Sequence, residues 1–327
     1  MSFEIYDNKF VSQYKYYDFK DVLILPCYSK LNSRSEVNLE KTLRFNNDKT
    51  WTGIPIISAN MTTTGTFDVY KVLSKYKIIT CFHKFYTLND FLKFNEENHE
   101  NILNPDYFMV STGISDSDYE RLCNIIDNIE CKFICIDIAN GYIDNLIKYC
   151  KKVRAKYPDH IIVAGNVCTY DGVNNLIDCN IDIIKCGIGG GSACTTRIQT
   201  GIGMPQLSCV IECSKAIMDI NHEDDDYYYK HYIISDGGIT CPGDLAKAFS
   251  AGSDFVMIGG EFAGHDENPG KLIINEKTGE QFKFFYGMSS SYAMKNNYAA
   301  NNNKNYRSSE GREIKMKYKG KLYNTVE

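Results

Sequence analysis

One loop of the chain combines residue types that could act as a nucleophile in a polar setting. The segment Lys185–Gln206 reads KCGIGGGSACTTRIQTGIGMPQ and joins many glycines to a serine, a cysteine and two adjacent threonines. Glycines let a backbone fold tightly and leave N–H groups free to bind an anion. A thiol beside such donors can have a lowered pKa, which a nucleophilic cysteine requires. Because Cys194 lies in this polar loop and not in an apolar run, it is the candidate nucleophile.

Two further loops indicate a phosphorylated ligand with a ribose. Ser235–Thr240 (SDGGIT) follows the seventh apolar run of the chain, and Gly259–Gly260 follows the eighth. The carboxylate of Asp236 suits ribose hydroxyls, while Gly237 and Gly238 give a phosphate room to approach the backbone. Barrel enzymes commonly bind phosphate with the loops after strands seven and eight. The two loops together therefore predict a phosphorylated ligand.

Eight short apolar runs must position these loops. They are Pro55–Asn60, Ile78–Phe82, Tyr107–Thr112, Phe133–Ile138, Ile161–Ala164, Ile181–Cys186, Tyr232–Ser235 and Phe255–Ile258. Most are spaced by roughly 25 residues, near the length of one strand–helix unit, and they lack polar alternation, as strands covered on both faces do. We predict an α/β protein with a (β/α)8 TIM barrel. A doubly wound open sheet is the alternative, but no glycine-rich dinucleotide turn follows the first run.

The stretches between the runs are typical of helices. We predict helices over Thr66–Lys75, Asp144–Tyr157 and Gly243–Ala251, and another after Pro205. In this last helix one apolar face is expected to comprise Leu207, Val210, Ile211, Ser214 and Ile217. The acidic, tyrosine-rich Asn221–His231 is predicted to be a solvated surface excursion.

The whole chain, 1–327, is interpreted as a single barrel domain. The barrel core is expected at about 54–263, followed by a C-terminal flap or extension at 264–327. Within the extension, Gln281–Tyr286 alternates like a strand, and the Asn-rich Lys295–Asn305 is predicted to be a mobile flap.

The composition disfavours several classes of protein. The chain is 43% hydrophobic and 24% charged, with a net charge of -5 and a pI near 5.8. These values do not suggest a nucleic-acid or membrane-surface partner. The N-terminus lacks the apolar region of a signal peptide, and no apolar run has the length of a membrane span. We therefore predict a cytoplasmic protein without nucleic-acid or membrane partners.

The cysteines point to a reducing compartment. There are 13, and their spacing follows no disulfide or zinc pattern. Most lie in or beside apolar runs, as Cys135, Cys168 and Cys186 do, and are predicted to be buried free thiols.

Several motifs together resemble the IMP dehydrogenase/GMP reductase family. They are GIGGGSACTTR, SDGGI, VMIGGEFAG and FYGMSS, and the match runs from Asp18–Pro26 (DFKDVLILP) to about Thr325. Only Thr87–Asp106 separates the second and third strands, which leaves no room for the CBS domains that most dehydrogenases of the family carry there. His83–Lys84, the DIANG at Asp137–Gly141 and the YRSSEG at Tyr306–Gly311 are similar to the reductase branch.

The resemblance implies a reaction and the residues that perform it. GMP would be reductively deaminated to IMP and ammonia with NADPH, through a covalent thioimidate on Cys194, and Thr196 and Glu310 would handle the protons of the amine. Two readings within the family stay open: a CBS-less dehydrogenase that oxidises IMP with NAD, and a purine-nucleotide-binding barrel that has lost turnover. Outside the family, an aldolase-type barrel would need Lys185 as its Schiff-base lysine.

The resemblance also implies the binding residues. The substrate residues are Ser192, Asp236, Gly237, Gly238, Gly259, Gly260, Gly287, Met288, Ser289, Arg307, Ser308, Ser309 and Gly311. The cofactor residues are Ser33, Arg34, Lys84, Asp137, Ile138, Ala139, Ile188, Gly189, Tyr306 and Arg307. A monovalent cation such as K⁺ would be held at Gly189, Gly191, Cys194 and Arg197. The family resemblance further implies a homotetramer.

The chain departs from the family pattern at several places. Gly190 stands where proline is usual, Thr62 where aspartate is usual, and Ser291 where glutamate is usual. Relatives continue past the position of Glu327 with a Gly- and Ser-rich segment that reaches a neighbouring subunit's cofactor site. We therefore expect either a truncated form or altered cofactor binding.

Overall fold

A closed barrel of parallel strands forms the centre of the molecule. The computed structural model describes residues 15–45, 49–99, 102–223, 230–286 and 312–327. Their strands, in chain order, are β1 Lys41–Arg44, β2 Thr50–Gly53, β3 Ile56–Ser58, β4 Ile79–Phe82, β5 Phe108–Thr112, β6 Phe133–Asp137, β7 Ile161–Val167, β8 Ile183–Cys186, β9 Tyr232–Asp236, β10 Phe255–Ile258, β11 Ile273–Ile274, β12 Gln281–Tyr286 and β13 Glu313–Lys317. Strands β3 to β10 pair in parallel with their chain neighbours, and β10 pairs with β3 to close the ring. The predicted (β/α)8 barrel is confirmed, and the open sheet is wrong.

Helices follow the barrel strands. Within the described ranges the α-helices are α1 Phe67–Leu73, α2 Leu88–Glu97, α3 Asp116–Ile126, α4 Asp144–Lys156, α5 Tyr170–Ile177, α6 Thr196–Thr200, α7 Gln206–Glu223, α8 Pro242–Ser250 and α9 Tyr323–Val326. Short 3-10 helices lie at Phe19–Asp21, Arg34–Glu36, Ser74–Tyr76 and Gly260–Phe262. Side-chain hydroxyls begin several α-helices; Thr66, for example, accepts a hydrogen bond from Val69 N–H. None of the described helices combines the length and apolar character needed to cross a membrane.

Each barrel strand is apolar on both faces because it is covered on both. Alternate residues such as Met109 and Val163 fill the barrel interior, while their neighbours Val110 and Ala164 pack against the helices. The hairpin β1–β2 closes the N-terminal end of this interior. Trp51 in β2 is 1% exposed and packs on Phe255, the first residue of β10, at 5.1 Å between ring centroids.

The predicted apolar face of the helix after Pro205, and the excursion predicted to follow that helix, are each wrong in part. Ile211 is 52% exposed, because the buried face of α7 is centred on Val210 and Cys213 and places Ile211 on the exposed face with Lys215 and Met218. The predicted surface excursion Asn221–His231 is wrong at both of its ends, and residues 224–229 lie outside the described residues. Asn221–Glu223 end α7, and His231 is buried with its Nδ1 2.8 Å from Ile181 O.

The C-terminal extension forms a second, small sheet. Strands β11, β12 and β13 are antiparallel, which confirms the strand predicted at Gln281–Tyr286. Phe285 of β12 is 2% exposed and packs with Ala193 and Ala263 at the barrel mouth. The predicted flap Lys295–Asn305 lies outside the described residues.

The acid dependence of stability should show a contribution from Asp254, which precedes β10. Burial raises its pKa to about 6, although Ile233 N–H, at 3.0 Å from Oδ2, and Lys41 oppose the rise. The folded state therefore binds more protons than the unfolded state between about pH 4 and 6, so this group costs stability as the pH rises through that window. Asp254→Asn keeps the acceptor for Ile233 and should raise the free energy of unfolding at pH 7 by on the order of 1 to 2 kcal/mol.

Urea unfolding of the Asp254→Asn variant and the parent at pH 7 and pH 4 measures this effect. The stabilisation should be largely gone at pH 4. An equal difference in unfolding free energy at both pH values would contradict the proposed burial of a charged carboxylate.

Candidate active site

The loops that the sequence singled out meet at the C-terminal mouth of the barrel. The Cys194 loop follows β8, the Asp236 turn ends β9, and Gly259–Gly260 follow β10. Gly237 has a φ of +101°, and a Cβ there would lie 2.9 Å from the carbonyl carbon of Gly190. The first two loops therefore pack backbone against backbone. A Cβ at Gly260 would lie 3.3 Å from Ser192 Oγ, so the third loop meets them as well.

Cys194 has the accessibility that a nucleophile needs. The residue is partly buried, and its thiol donates to Thr196 Oγ1 at 3.2 Å. A turn in which Cys194 N–H donates to Gly191 O at 3.0 Å fixes its backbone. The thiol is thus neither sealed in the apolar interior nor distant from the Asp236 turn. Glu310, the other predicted proton-handling residue, lies outside the described residues.

Arg197 stabilises the Cys194 loop by hydrogen bonds to carbonyl groups of the same loop. Its Nε donates to Ile188 O at 3.2 Å, its guanidinium also donates to Met204 O, and it pairs with Asp18 at 3.6 Å. Gly189 has a φ of +74°, and a Cβ there would lie 2.5 Å from Arg197 Cγ. The arginine side chain thus crosses the loop at a point where only glycine fits. The sequence motif predicted Arg197 as part of a cation site but did not reveal this fastening role.

Ser192 has a basic neighbour that the sequence analysis missed. Arg312 N–H donates to Ala193 O at 3.0 Å, and the Arg312 guanidinium donates to Ser192 O at 3.2 Å and 3.3 Å. A cation therefore lies beside the loop predicted to bind phosphate. The available signal was its place directly after the Tyr306–Gly311 motif.

A buried ammonium joins the predicted cofactor and substrate sides of the mouth. Lys185 Nζ lies 2.8 Å from Asp137 Oδ1 and 3.0 Å from Asp236 Oδ2, and the lysine side chain is only 3% exposed. Asn60 donates to Asp137 Oδ2 at 2.7 Å, and Asn166 donates to Asp236 Oδ2 at 2.8 Å. The sequence analysis considered Lys185 only as a Schiff-base former and overlooked both asparagines.

The charge state of Lys185 disfavours the aldolase hypothesis, which requires a neutral amine. Burial lowers its pKa, but the two carboxylates outweigh burial and hold the pKa well above the usual value. The reverse holds for Asp137: burial raises its pKa, and Lys185 and Asn60 together bring it below the usual value. Lys185 is therefore a protonated partner of carboxylates and not a free amine.

The predicted cofactor residues are only partly brought together. Asp137, Ile138 and Ala139 follow the end of β6, and Ile188 and Gly189 begin the loop after β8. Lys84 follows β4, and its Nζ lies 3.4 Å from Asp118 Oδ1.

Ser33 and Arg34 lie in an exposed N-terminal segment. There the Ser33 hydroxyl caps the 3-10 helix Arg34–Glu36 by accepting from Ser35 N–H. Within the described ranges, no hydrogen bond or ion pair joins either residue to the mouth.

Several candidates fall outside the described residues. These are Gly287, Met288, Ser289, Tyr306, Arg307, Ser308, Ser309, Glu310 and Gly311. Both described ends of that stretch lie at the mouth, because Phe285 packs with Ala193 and Arg312 hydrogen-bonds to Ser192 and Ala193.

The predicted cation ligands are backbone carbonyls on the Cys194 loop. Gly191 O accepts from Cys194 N–H, and Arg197 O accepts from Gly201 N–H at 3.1 Å, so each has one lone pair engaged. No cluster of three or more His, Cys, Asp or Glu side chains suited to a metal occurs among the described residues. Carbonyl oxygens suit a hard cation and not a soft transition metal.

Comparisons with known proteins all find members of one enzyme family. The family model described as "IMP dehydrogenase / GMP reductase domain" matches residues 16–327. The chain is 49% identical to GMP reductase 1 of Mus musculus, over 94% of this chain and 86% of that protein. It is 46% identical to GMP reductase of Yersinia pestis (strain Pestoides F), over 94% of this chain and 85% of that protein. A crystal structure of inosine 5′-monophosphate dehydrogenase from Legionella pneumophila superposes with a TM-score of 0.74 at 31% identity, covering 95% of this chain and 89% of that one.

Proposed function

Because the chain belongs to the IMP dehydrogenase/GMP reductase family, we propose that it is an oxidoreductase that converts GMP to IMP and ammonia with a nicotinamide cofactor. The observation that carries the proposal is the position of Cys194. Its partly buried thiol lies in a glycine loop that packs directly on the Asp236–Gly238 turn. The identity of 45% to 49% with several GMP reductases favours reduction over the dehydrogenase reaction.

GMP binding is assigned to the three loops that meet at the mouth. Ser192, Gly259 and Gly260 would receive the phosphate, since a small hydroxyl and two glycines lie together there. Asp236 would accept from the ribose hydroxyls. Its Oδ2 is already engaged by Lys185 and Asn166, which leaves Oδ1 for the ligand among the described contacts.

The covalent chemistry is assigned to Cys194. Its sulfur forms a bond to C2 of the guanine ring while the bond from C2 to the exocyclic nitrogen breaks, and the amine takes up a proton and leaves as ammonia. Thr196, whose hydroxyl is 3.2 Å from the sulfur, would exchange protons with the amine together with Glu310. In the second step a hydride adds to C2 and the carbon–sulfur bond breaks, which returns the thiolate and gives IMP.

A nicotinamide cofactor, when bound, would supply that hydride. The residues at the mouth fit such a molecule, because Lys84 offers a cation for its phosphates. Each oxygen of Asp137 has one described partner and keeps a further lone pair that can accept from the cofactor's hydroxyls. Ile138, Ala139, Ile188 and Gly189 would line the same side. We propose NADPH in particular from the family resemblance alone, which assigns Ser33, Arg34, Tyr306 and Arg307 to polar and basic contacts with the cofactor.

Three further features are also proposed. A monovalent cation such as K⁺ would bind the carbonyls of Gly189, Gly191, Cys194 and Arg197. The homotetramer and the cytoplasmic location are likewise proposals.

A paired assay separates the reductase from the dehydrogenase. The protein is incubated with GMP and NADPH in one reaction and with IMP and NAD in another, and the absorbance of reduced nicotinamide is followed together with ammonia release. Oxidation of NADPH with one ammonia per turnover is expected only with GMP. Formation of NADH from IMP, without reaction of GMP, would overturn the assignment.

A further inference from the structure

The ammonium of Lys185 is almost completely buried beneath the mouth of the barrel. Its side chain is 3% exposed, yet its Nζ reaches carboxylates at the ends of β6 and β9, on either side of its own strand β8. A buried charge requires partners of opposite sign, and here it has two. One partner, Asp137, stands on the cofactor side of the proposed site, and the other, Asp236, on the ribose side.

The network extends beyond these three groups in both directions. Asn60, which follows β3, donates to Asp137 Oδ2 at 2.7 Å. Asn166 of β7 donates both to Asp236 Oδ2 at 2.8 Å and to Gly187 O at 2.7 Å, at the start of the Cys194 loop. A continuous line of hydrogen bonds and ion pairs therefore crosses the mouth from the first barrel strand to the seventh.

The two carboxylates are engaged to different degrees. Both oxygens of Asp137 have partners, Lys185 on Oδ1 and Asn60 on Oδ2. Both partners of Asp236 contact Oδ2. Lys185 interacts with both carboxylates. A ligand that hydrogen-bonds to Asp236 therefore changes the strength of the ion pair between Lys185 and Asp137, and a ligand on Asp137 likewise changes the ion pair with Asp236.

We infer that Lys185 is a positioning residue that couples the binding of the purine nucleotide to the binding of the nicotinamide cofactor. The inference rests on the proposed function, because it takes Asp236 and Asp137 to face those two ligands. Thermodynamic linkage makes the effect reciprocal: each ligand alters the affinity for the other by the same factor.

The test uses Lys185→Met, which removes the charge but keeps an unbranched apolar stem. Dissociation constants of IMP and of NADPH are measured by calorimetry, each alone and at saturation of the other. IMP and NADPH form a pair that does not react, since IMP has no amine to lose and already carries hydrogen at C2. The parent should show a coupling factor of about fivefold or more, and the variant a factor within about twofold of unity.

The pH dependence provides a second readout that loss of packing would not produce. Without the ammonium, burial of Asp137 is no longer opposed by its main partner, so its pKa rises. The NADPH affinity of the variant should then weaken more steeply than that of the parent as the pH falls below neutral, because titration of the ligand's own phosphate is common to both proteins. The charged and titratable groups around Lys185 are Asp137, Asp236, Cys81, Cys135 and Lys84.

A matched control lies at the other end of the same strand. Arg154 pairs with Asp182, which is 5% exposed and directly precedes β8. Arg154→Met therefore also deprives a buried carboxylate of its cation, but far from the mouth. It should lower the melting temperature while leaving the coupling factor and the pH dependence of ligand affinity at parental values.

The outcomes decide between distinct claims. A Lys185→Met protein with parental coupling and a parental pH profile would overturn the inference, as would a parent that binds both ligands independently. If Lys185→Met does not fold, Asn60→Ala releases Asp137 at the end of the network and should reduce the coupling at least about twofold; unchanged coupling there counts against the inference. A parent that binds neither IMP nor NADPH would instead refute the proposed function.

Discussion

Replacing Cys194 with alanine is expected to lower kcat for GMP reduction by about four to six orders of magnitude, the scale seen when a catalytic nucleophile is removed. The sulfur forms the bond to C2, and no other described thiol lies in the glycine loop at the mouth. Because the residue is partly exposed and its loop is held by Arg197, the variant should stay folded.

The control for this variant is Cys123→Ala. Cys123 is also partly buried, but it lies on α3 at the outside of the barrel. Circular dichroism and thermal melting of both variants beside the parent separate loss of chemistry from loss of structure. A Cys194→Ala protein that retains turnover would contradict the assigned role, and one that fails to fold would identify Cys194 as a structural thiol.

The second large effect is expected from Asp236→Asn, which should raise the KM for GMP about 100-fold. The change keeps the volume of the side chain but removes a charge that is expected to accept hydrogen bonds from the ribose; such charge-assisted bonds contribute about 1.5 to 3 kcal/mol each. It also removes one of the two carboxylates that hold Lys185.

Deoxynucleotides make this test specific for the ribose contact. The parent should bind either 2′-deoxy-GMP or 3′-deoxy-GMP more weakly than GMP. The Asp236→Asn variant should bind that same analogue and GMP with similar affinity. Asp254→Asn, at the opposite end of the barrel, is the control and should leave the KM unchanged. Equal losses with the deoxynucleotides in parent and variant would place the ribose elsewhere.

The fold could be predicted from the sequence because each barrel strand is marked by a short local pattern of apolar residues. Each strand is covered on both faces, so it appears as a short apolar run. Every one of the eight runs overlaps a barrel strand, although β7 and β9 extend past the ends of their runs. Ile211 shows the limit of this reasoning. Which residues of a helix are buried depends on the elements that pack against it. In α7 the small residue Cys213 is buried, whereas the larger Ile211, which was predicted to be buried, is exposed.

The site was predictable only where function follows from one short segment. The Cys194 loop and the Asp236 turn carry glycines that report close backbone contact, and the structure places them together. No local sequence pattern identifies Asn166, Asn60 or Arg312, because their roles depend on partners that are distant in sequence. Lys185 was misread for the same reason: its charge state depends on two carboxylates, one about 50 residues before it and one about 50 after, which only the closed barrel brings within reach.

Trapping the covalent adduct tests the central claim most directly. A GMP analogue with chlorine in place of the amino group at C2 lets the sulfur of Cys194 displace chloride and remain bonded to the purine. Intact mass spectrometry of the parent should show one added nucleotide less hydrogen chloride, and peptide mapping should place it on Cys194. Binding of the analogue without a mass increase, or labelling of another cysteine in both the parent and Cys194→Ala, would contradict attack by this sulfur.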